Sequence, residues 1–283
     1  MSINIYMFTT SPKIFAHTSA IETHNFVIPE YILNKGQGEV NLFHRFCPHR
    51  MYPLAVPGTH VGEINCEFHD FKWTSAGIPI NNDRKLSCGK ASVGHSGLIF
   101  KNFIEPNHIW VDNLAKETSL KYSHSMQGTS TGSWLWMMEI QADLLHIRSG
   151  EGAIHPLLSA ETNLDEVDMH EGDGWVLQTC STGWWLCIYP FTFIEWSKGC
   201  LAINYTIPKD KNNEFGFNWI TQFYYDSSIT EEKRKNFETL EDVFKEDVGA
   251  VEKQKGKWFP LISAVSRLEE HCVHFGKWVK SNN

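Results

Sequence analysis

The sequence predicts an α+β protein in two parts: an all-β N-terminal domain over residues 1–120, then a domain over 121–283 whose antiparallel sheet packs against helices. Three observations carry this. Residues 13–120 are short apolar runs broken by turn residues, the pattern of short strands. Residues 173–225 hold longer strand-like segments, WVLQTC, GWWLCIY, CLAINYTIP and FGFNWITQFYY, separated by turn signals. Beyond them the periodicity becomes helical, with Phe237, Leu240, Phe244 and Val251 spaced by three, four and seven. A run of strands followed by strands and helices fits two packed units better than an alternating α/β sheet.

In chain order, the apolar run before Cys47 and SGLIFKNF near 96–103 are strands of the first domain. KETSLKYSHSMQGTSTGS, residues 116–133, is polar and rich in Ser, Thr and Gly, and is expected to be a loop or linker. SWLWMMEIQADLLHI follows as a short helix. After the strands, Ser228-x-x-Glu231 is a capping box that opens a helix from about Thr230 to Lys255. A last helix is expected from about Pro260 to Lys280.

Composition narrows the function classes. The 283 residues are 42% apolar and 20% charged, enough for one large or two modest cores. The net charge of -8, with no basic block, disfavours nucleic acid, whose phosphates need clustered Lys and Arg. No apolar run reaches membrane-spanning length, and MSINIYMFTTSPK lacks the basic start and apolar core of a signal peptide. Besides Cys47 and Cys66 there are five scattered cysteines, Cys88, Cys180, Cys187, Cys200 and Cys272. An odd, scattered set suits reduced thiols and a cytoplasmic setting.

The most informative residues are Cys47-Pro48-His49 and Cys66-Glu67-Phe68-His69. Two thiolates and two imidazoles from paired loops suit a [2Fe–2S] cluster of the Rieske kind, with Cys on one iron and His on the other. Neutral imidazole in place of thiolate lowers the negative charge of the cluster and raises its potential. A Cys2His2 zinc site is the alternative, as is a chance grouping without metal. The spacing argues against zinc: each loop supplies one Cys and one His, whereas a zinc finger usually takes its Cys pair from one turn and its His pair from a helix.

Asp143, His146 and His155 form a second constellation. Asp143 and His146 are three apart and would share one helical face. His155 follows the loop SGEGAI. Two imidazoles and one carboxylate make the facial triad of non-haem Fe(II) oxygenases, which leaves open positions on the metal. Asp247 offers the carboxylate, because it interrupts the apolar stripe Phe237, Leu240, Phe244, Val251. A charge facing the core is costly unless paired or metal-bound, although a helix that rolls outward would leave Asp247 half exposed. Glu151 is a nearby alternative carboxylate. His44 and His60 flank the cluster loops off the ligand spacing, and His271 and His274 are expected on a solvated helix face. Eleven Trp, many of them in the strand-rich second half, could wall a substrate cavity or simply fill the sheet core.

FHRFCPHRMYPL and NCEFHDFKWTSAGIP resemble the Rieske domain of ring-hydroxylating oxygenases: a Cys-Pro-His-Arg loop, then Cys-x-x-His, aromatics and a Gly turn, here Gly77. Glu67-Phe68 stands where that family often has Pro-Tyr, and Asp70-Phe71 where it often has Gly-Trp. Phe68 cannot donate a hydroxyl hydrogen bond, which should lower the cluster potential. The second half resembles the catalytic domain of Rieske non-haem iron oxygenases, with Trp134, Asp143-x-x-His146, His155, and Asp247 five residues before Glu252. RLEEHCVHFGKWV resembles the closing helix of the homotrimeric branch, which includes choline monooxygenase-like and phenylpropionate dioxygenase-like proteins. Three positions depart from the pattern: Ile140 replaces a common Asn, Leu145 a common aromatic, and eight residues separate His146 from His155 where four are usual.

The resemblance implies an N-terminal all-β Rieske [2Fe-2S] domain followed by a catalytic domain. Cys47, His49, Cys66 and His69 would hold the cluster, and His146, His155 and Asp247 a mononuclear Fe(II). Asp143 would link His146 to a cluster His of a neighbouring subunit, here His69, in a head-to-tail homo-oligomer, a trimer. Such a subunit is a terminal oxygenase that uses O2 to hydroxylate or oxidatively demethylate a small organic substrate. Its electrons would come from a separate ferredoxin or flavin reductase, since the chain has no Gly-rich dinucleotide fingerprint. The Trp-rich sheet admits an aromatic ring or a quaternary amine held by cation–π contact. The competing readings are a Rieske electron-transfer protein and a degenerate oxygenase fold without turnover.

Overall fold

Short apolar runs in the first third pair into strands. β1 (Lys13–His17), β2 (Asn25–Val27), β3 (Tyr31–Lys35), β4 (Val40–His44), β5 (His60–Val61), β8 (Cys88–Val93) and β9 (Leu98–Lys101) form a seven-stranded sheet in the order β1-β9-β8-β4-β3-β2-β5. β6 (Ile64–Cys66) and β7 (Phe71–Trp73) form a separate hairpin. This computed structural model describes residues 13–36, 39–94, 96–101, 119–147, 155, 163–197, 199–210, 213–230, 236–254 and 256–282. They fall into two compact units, Pro12–Met126 with Tyr224–Ser228, and Gln127–Phe223 with Ile229–Asn283.

In the first unit Val27, Ile32, Phe43, Ile64, Trp73 and Leu86 pack into a core that also encloses Cys47 and Cys66. The loop after β4 is pinned by Arg45, whose Nε donates to Pro29 O at 2.9 Å and Nη1 to Ala55 O at 3.0 Å. The β6–β7 hairpin closes with Cys66 opposite Phe71, so its turn carries His69 outward. Gly77 takes φ +73°, and a Cβ there would stand 2.7 Å from the Phe43 ring. Only glycine meets both the left-handed backbone and the close approach.

The second seven-stranded sheet has the order β10-β16-β15-β14-β13-β12-β11, from β10 (Leu120–Ser133), β11 (Asp168–Gly172), β12 (Trp175–Cys180), β13 (Gly183–Ile188), β14 (Thr192–Ser197), β15 (Cys200–Pro208) and β16 (Phe215–Asp226). β11 to β15 are antiparallel neighbours. Helices α1 (Trp134–Ala142), α2 (Asn236–Lys253) and α3 (Glu270–Ser281) complete the second unit. α1 packs on β13 and β15, on α2 and on α3. Along α2, Leu240, Phe244, Val248 and Val251 are buried, and Asp247 is buried with them.

Four local expectations are corrected. The polar stretch 116–133 is not a linker, because Leu120–Ser133 is a fourteen-residue strand. Ser and Thr suit a strand with one wet face. Gly128 and Gly132 permit close approach, since a Cβ would stand 2.5 Å from the Trp219 ring and 2.6 Å from Val251. The last helix starts at Glu270, not near Pro260, after a 3-10 turn over Arg267–Glu269. Asp143 and His146 do not share a helix: α1 ends at Ala142 and Asp143 is extended, with φ -89° and ψ 114°. Its carboxylate accepts the Leu145 N–H at 2.7 Å, an Asx-type contact that competes with continuing the helix. His271 is buried rather than solvated. Its Nδ1 faces Gln178 Nε2 at 3.1 Å, and burial pushes its pKa down to about 4. Glu231 of the capping box lies outside the described residues.

Candidate metal centres

Cys47 and Cys66 are each 1% exposed, at the base of two loops whose tips turn outward. Cys47 N donates to Tyr52 O at 2.8 Å, and Met51 N to Cys47 O at 2.9 Å, closing the first loop. Met51 and Asp70, beside the two His, take φ of 55° and 54°, a conformation L-residues rarely adopt. Such backbone persists where the surroundings over-determine it. Desolvation pushes the Cys47 thiol up and Cys66 adds to this, while backbone N–H groups of His49 and Arg50 favour its thiolate. Two buried thiols side by side therefore want a cation. On the outer side, His49 Nδ1 and His69 Nδ1 lie 3.0 Å apart. Desolvation, His69, and the Arg84 and Arg50 guanidinium groups hold His49 below its ordinary pKa, so it stays neutral as a ligand must. Buried sulfur and exposed nitrogen suit a cluster whose imidazole side meets its redox partners. Phe68 stacks on Tyr52, with ring centroids 5.7 Å apart.

The second centre is built from three elements. His146 sits in the 3-10 turn Leu145–Ile147 that follows α1, and Asp247 on α2. His155 is 1% exposed. His146 Nε2 to His155 Nε2 is 3.1 Å, His155 Nε2 to Asp247 Oδ1 is 2.8 Å, and His146 Nε2 to Asp247 Oδ1 is 3.6 Å. Donors bonded at ~2.1 Å and ~90° around one ion stand about 3 Å apart, so this triangle fits the facial set. It is the group of His, Cys, Asp or Glu among the described residues whose donor atoms converge for a metal. The longer loop thus still delivers His155 beside His146. Glu151 lies outside the described residues.

Glu246, which sequence reasoning passed over, takes His155 from the other side, with Oε2 2.8 Å from Nδ1. If Nδ1 carries the proton, Nε2 turns a lone pair toward Asp247 and His146. Three lone pairs then converge, which is repulsive without a cation between them. Without metal a proton takes that place: burial opposes it, but Asp247 and Glu246 hold the His155 pKa above its ordinary value. The buried His146 Nδ1 has no hydrogen-bond partner among the described residues, and burial lowers the His146 pKa. Asp143, bonded to Leu145 N, does not take up that nitrogen here. Burial, with Glu269 and Asp247 adding to it, pushes the Asp143 carboxyl up to about 6, against the hydrogen bonds from Leu145 and His146 N–H groups. Glu252 accepts from Ser130 Oγ at 2.9 Å and so ties the end of α2 to β10.

Two cavities meet the triad. An open one of about 680 Å³ is lined by Asp143, His146, Glu246 and Phe259. A smaller one of about 30 Å³ is lined by all three donors and by Gln141, Gln178, Trp185, Phe193 and Glu195. Glu195 and Gln141, also passed over, carry a recognisable signal: polar residues inside the largely apolar runs FTFIEWS and SWLWMMEIQA.

Glu246→Gln should keep the fold, because the side chain is 40% exposed, yet weaken metal binding at this centre about 10- to 100-fold, as loss of a carboxylate behind a ligating His does. Competition with a chelator at fixed pH reads this, and unchanged affinity would show that Glu246 does not orient His155.

Residues 15–89 match the Rieske [2Fe-2S] domain family. No curated protein sequence matches the chain. Among solved structures, the quaternary ammonium Rieske monooxygenase CntA in complex with L-carnitine is similar, with a TM-score of 0.70, 17% identity, and coverage of 98% of this chain and 90% of that one. A further CntA structure, described as revealing insights into carnitine oxidation by gut microbiota and inter-subunit electron transfer, has a TM-score of 0.66 at 15% identity over the same shares. Pseudomonas putida CBB5 NdmA with caffeine matches with a TM-score of 0.55, 14% identity, and coverage of 97% and 91%. Residues 15–89 thus form a Rieske [2Fe-2S] domain, and along nearly its whole length the chain shares the fold of the Rieske monooxygenase CntA.

Proposed function

We propose that this chain is the terminal oxygenase component of a Rieske non-haem iron system, with residues 1–120 as the cluster domain and 121–283 as the catalytic domain. The observation that carries the reading is the converging triangle of His146 Nε2, His155 Nε2 and Asp247 Oδ1 in a chain that also has the Cys47, His49, Cys66, His69 set. A pure electron carrier would have no use for the triangle, and a degenerate fold would not be expected to keep three donors within reach of one ion.

Cys47, Cys66, His49 and His69 would hold the [2Fe-2S] cluster, and His146, His155 and Asp247 the mononuclear Fe(II). When bound, the cluster would supply electrons singly and the iron the open positions for O2 chemistry at a C–H bond or ring. The protein's own residues do the rest. Glu246 fixes the tautomer of His155. Asp247, held within an apolar helix stripe, contributes the single negative charge that keeps the site selective for a divalent ion. Trp185 and Phe193 wall the small cavity and exclude water from the reacting end of a small organic substrate. Hydroxylation and oxidative demethylation are both within this chemistry. The electron donor is a separate ferredoxin or flavin reductase.

The open cavity by Asp143 is the place where the cluster domain of a neighbouring copy would dock, in a head-to-tail trimer. The exposed Phe259 at its mouth supports such a contact. Asp143 would then leave Leu145 N and join His146 Nδ1 to His69 of the neighbour. Asp143→Asn is expected to keep all irons and lose turnover by about 100-fold or more, because the linking carboxylate acts without ligating metal. Stopped-flow reoxidation of the reduced cluster and solution mass check this together. A fully active monomer would exclude transfer between subunits.

A further inference from the structure

Several buried polar atoms beside the triad lack a hydrogen-bond partner among the described residues. Gln141 is 5% exposed, and neither its Nε2 nor its Oε1 has a hydrogen-bond partner among the described residues. Gln178 is 1% exposed, and its Oε1 is likewise unpartnered. The orientation of Gln178 is fixed: its other end donates to Ala142 O at 2.8 Å, and a backbone carbonyl can only accept. Glu195 is 5% exposed and receives a single described hydrogen bond, from Trp185 Nε1 to Oε1 at 3.0 Å. Burial pushes its carboxyl up to about 7, with Asp247 adding to this and Trp185 Nε1 and His155 working against it. Buried polar atoms are nearly always paired, so an unpaired set lining one cavity marks the place of a ligand.

Strand register puts these groups in order. Gln178 faces Trp185 across β12 and β13, and Trp185 faces Glu195 across β13 and β14. Neighbouring strands lie ~4.8 Å apart, so an amide oxygen, an indole and a carboxylate form one row about 10 Å long. Gln141 lines the same cavity. Three acceptor groups thus stand against one donor group, the Gln141 amide N–H pair.

Resting on the reading of this cavity as the substrate site, we propose that it recognises the head group of a protonated amine, an ammonium that still carries an N–H, in preference to a quaternary ammonium. Glu195 supplies the negative charge and Trp185 an aromatic face for the cation. The oxygens of Gln178 and Gln141 accept the N–H, which a quaternary nitrogen or a fully N-alkylated heterocycle cannot donate. A site built to hydrogen-bond a donor rejects analogues that lack it, because its buried acceptors are then left unpaired. A cavity of about 30 Å³ holds a group of one or two waters' size, so only the N–H side of the head reaches into it, and the alkyl groups and the rest of the molecule lie outside.

The test is anaerobic calorimetry on the metal-loaded protein with three matched probes: protonated N,N-dimethylbutylamine, trimethylbutylammonium, and the neutral carbon isostere of the latter. Iron content and the Rieske EPR signal are measured on the same samples. Missing metals would count against the oxygenase reading, while the binding arm answers the present question at whatever metal content is found. The dimethyl amine should bind at least tenfold tighter than the trimethyl probe, and both should bind tighter than the neutral one. Glu195→Gln should weaken both cations at least tenfold. Gln141→Leu should weaken only the dimethyl amine, which separates recognition of the N–H from general damage. A trimethyl probe that binds as tightly as the amine, a neutral probe that equals both, a Glu195→Gln variant that binds both cations as the wild type does, or a Gln141→Leu variant that leaves the ratio of amine to trimethyl probe unchanged would each overturn the proposal.

Discussion

Asp247→Ala is expected to lower the iron content from three to two per chain and to abolish turnover, while leaving the cluster spectrum intact. Asp247 is the one carboxylate of the triangle, and its Oδ1 is within 3.6 Å of both imidazole nitrogens. Two neutral His alone hold a divalent ion weakly, and losses above 100-fold in affinity follow, beyond those seen when only a supporting residue is removed. The change should not unfold the protein, since it removes a buried charge from among Phe244, Val248 and Val251. His155→Ala should give the same loss. Full iron and activity in His155→Ala would place the ligand elsewhere. The pH dependence has a definite sign. Carboxylates raise the His155 pKa in the metal-free site, and the metal must displace that proton. Apparent affinity therefore falls as pH drops through the raised pKa, by about tenfold per pH unit for each proton displaced. Metal-free protein runs the other way: the protonated His155 bridge stabilises it at low pH, and this contribution is lost as pH rises through the same value.

Cys66→Ala is expected to cost the other two irons, the red-brown colour and all turnover driven by a reductase. Without Cys66 one iron loses a thiolate that no neighbour replaces, because Cys47 is the other Cys in the surrounding core. The mononuclear iron should remain, so the two variants lose complementary metals. Stability should fall as well, since Cys66 ends β6 within the core and the cluster would tie the β6–β7 turn to the loop after β4. EPR after reduction and iron analysis read the outcome. A wild-type protein that is colourless and holds one zinc would end the cluster reading altogether.

Much of this was legible in the chain because its signals are local. Paired Cys and His within two short loops specify a donor set by chemistry and spacing, whatever surrounds them. Helical periodicity marked Asp247 as a charge on an apolar stripe, and strand patterning in 173–225 announced the sheet. The failures share a cause as well. The Ser, Thr and Gly of 116–133 look like a linker until Trp219 and Val251 pack against Gly128 and Gly132. His271 looks solvated until Gln178, 93 positions away, meets its ring.

The identity of the chemistry was therefore determined by the sequence: which residue types can bind metal, and that two separate sets of them exist. Only the tertiary structure decided which atoms converge, that Glu246 stands behind His155, that Asp143 breaks from the helix to bond Leu145, and that Gln141, Gln178 and Glu195 line one cavity. The physical reason is that ligand identity is a property of single side chains at short spacing. Convergence, burial and hydrogen-bond satisfaction depend largely on contacts between residues 36 to 119 positions apart, for which a single sequence holds no local signal.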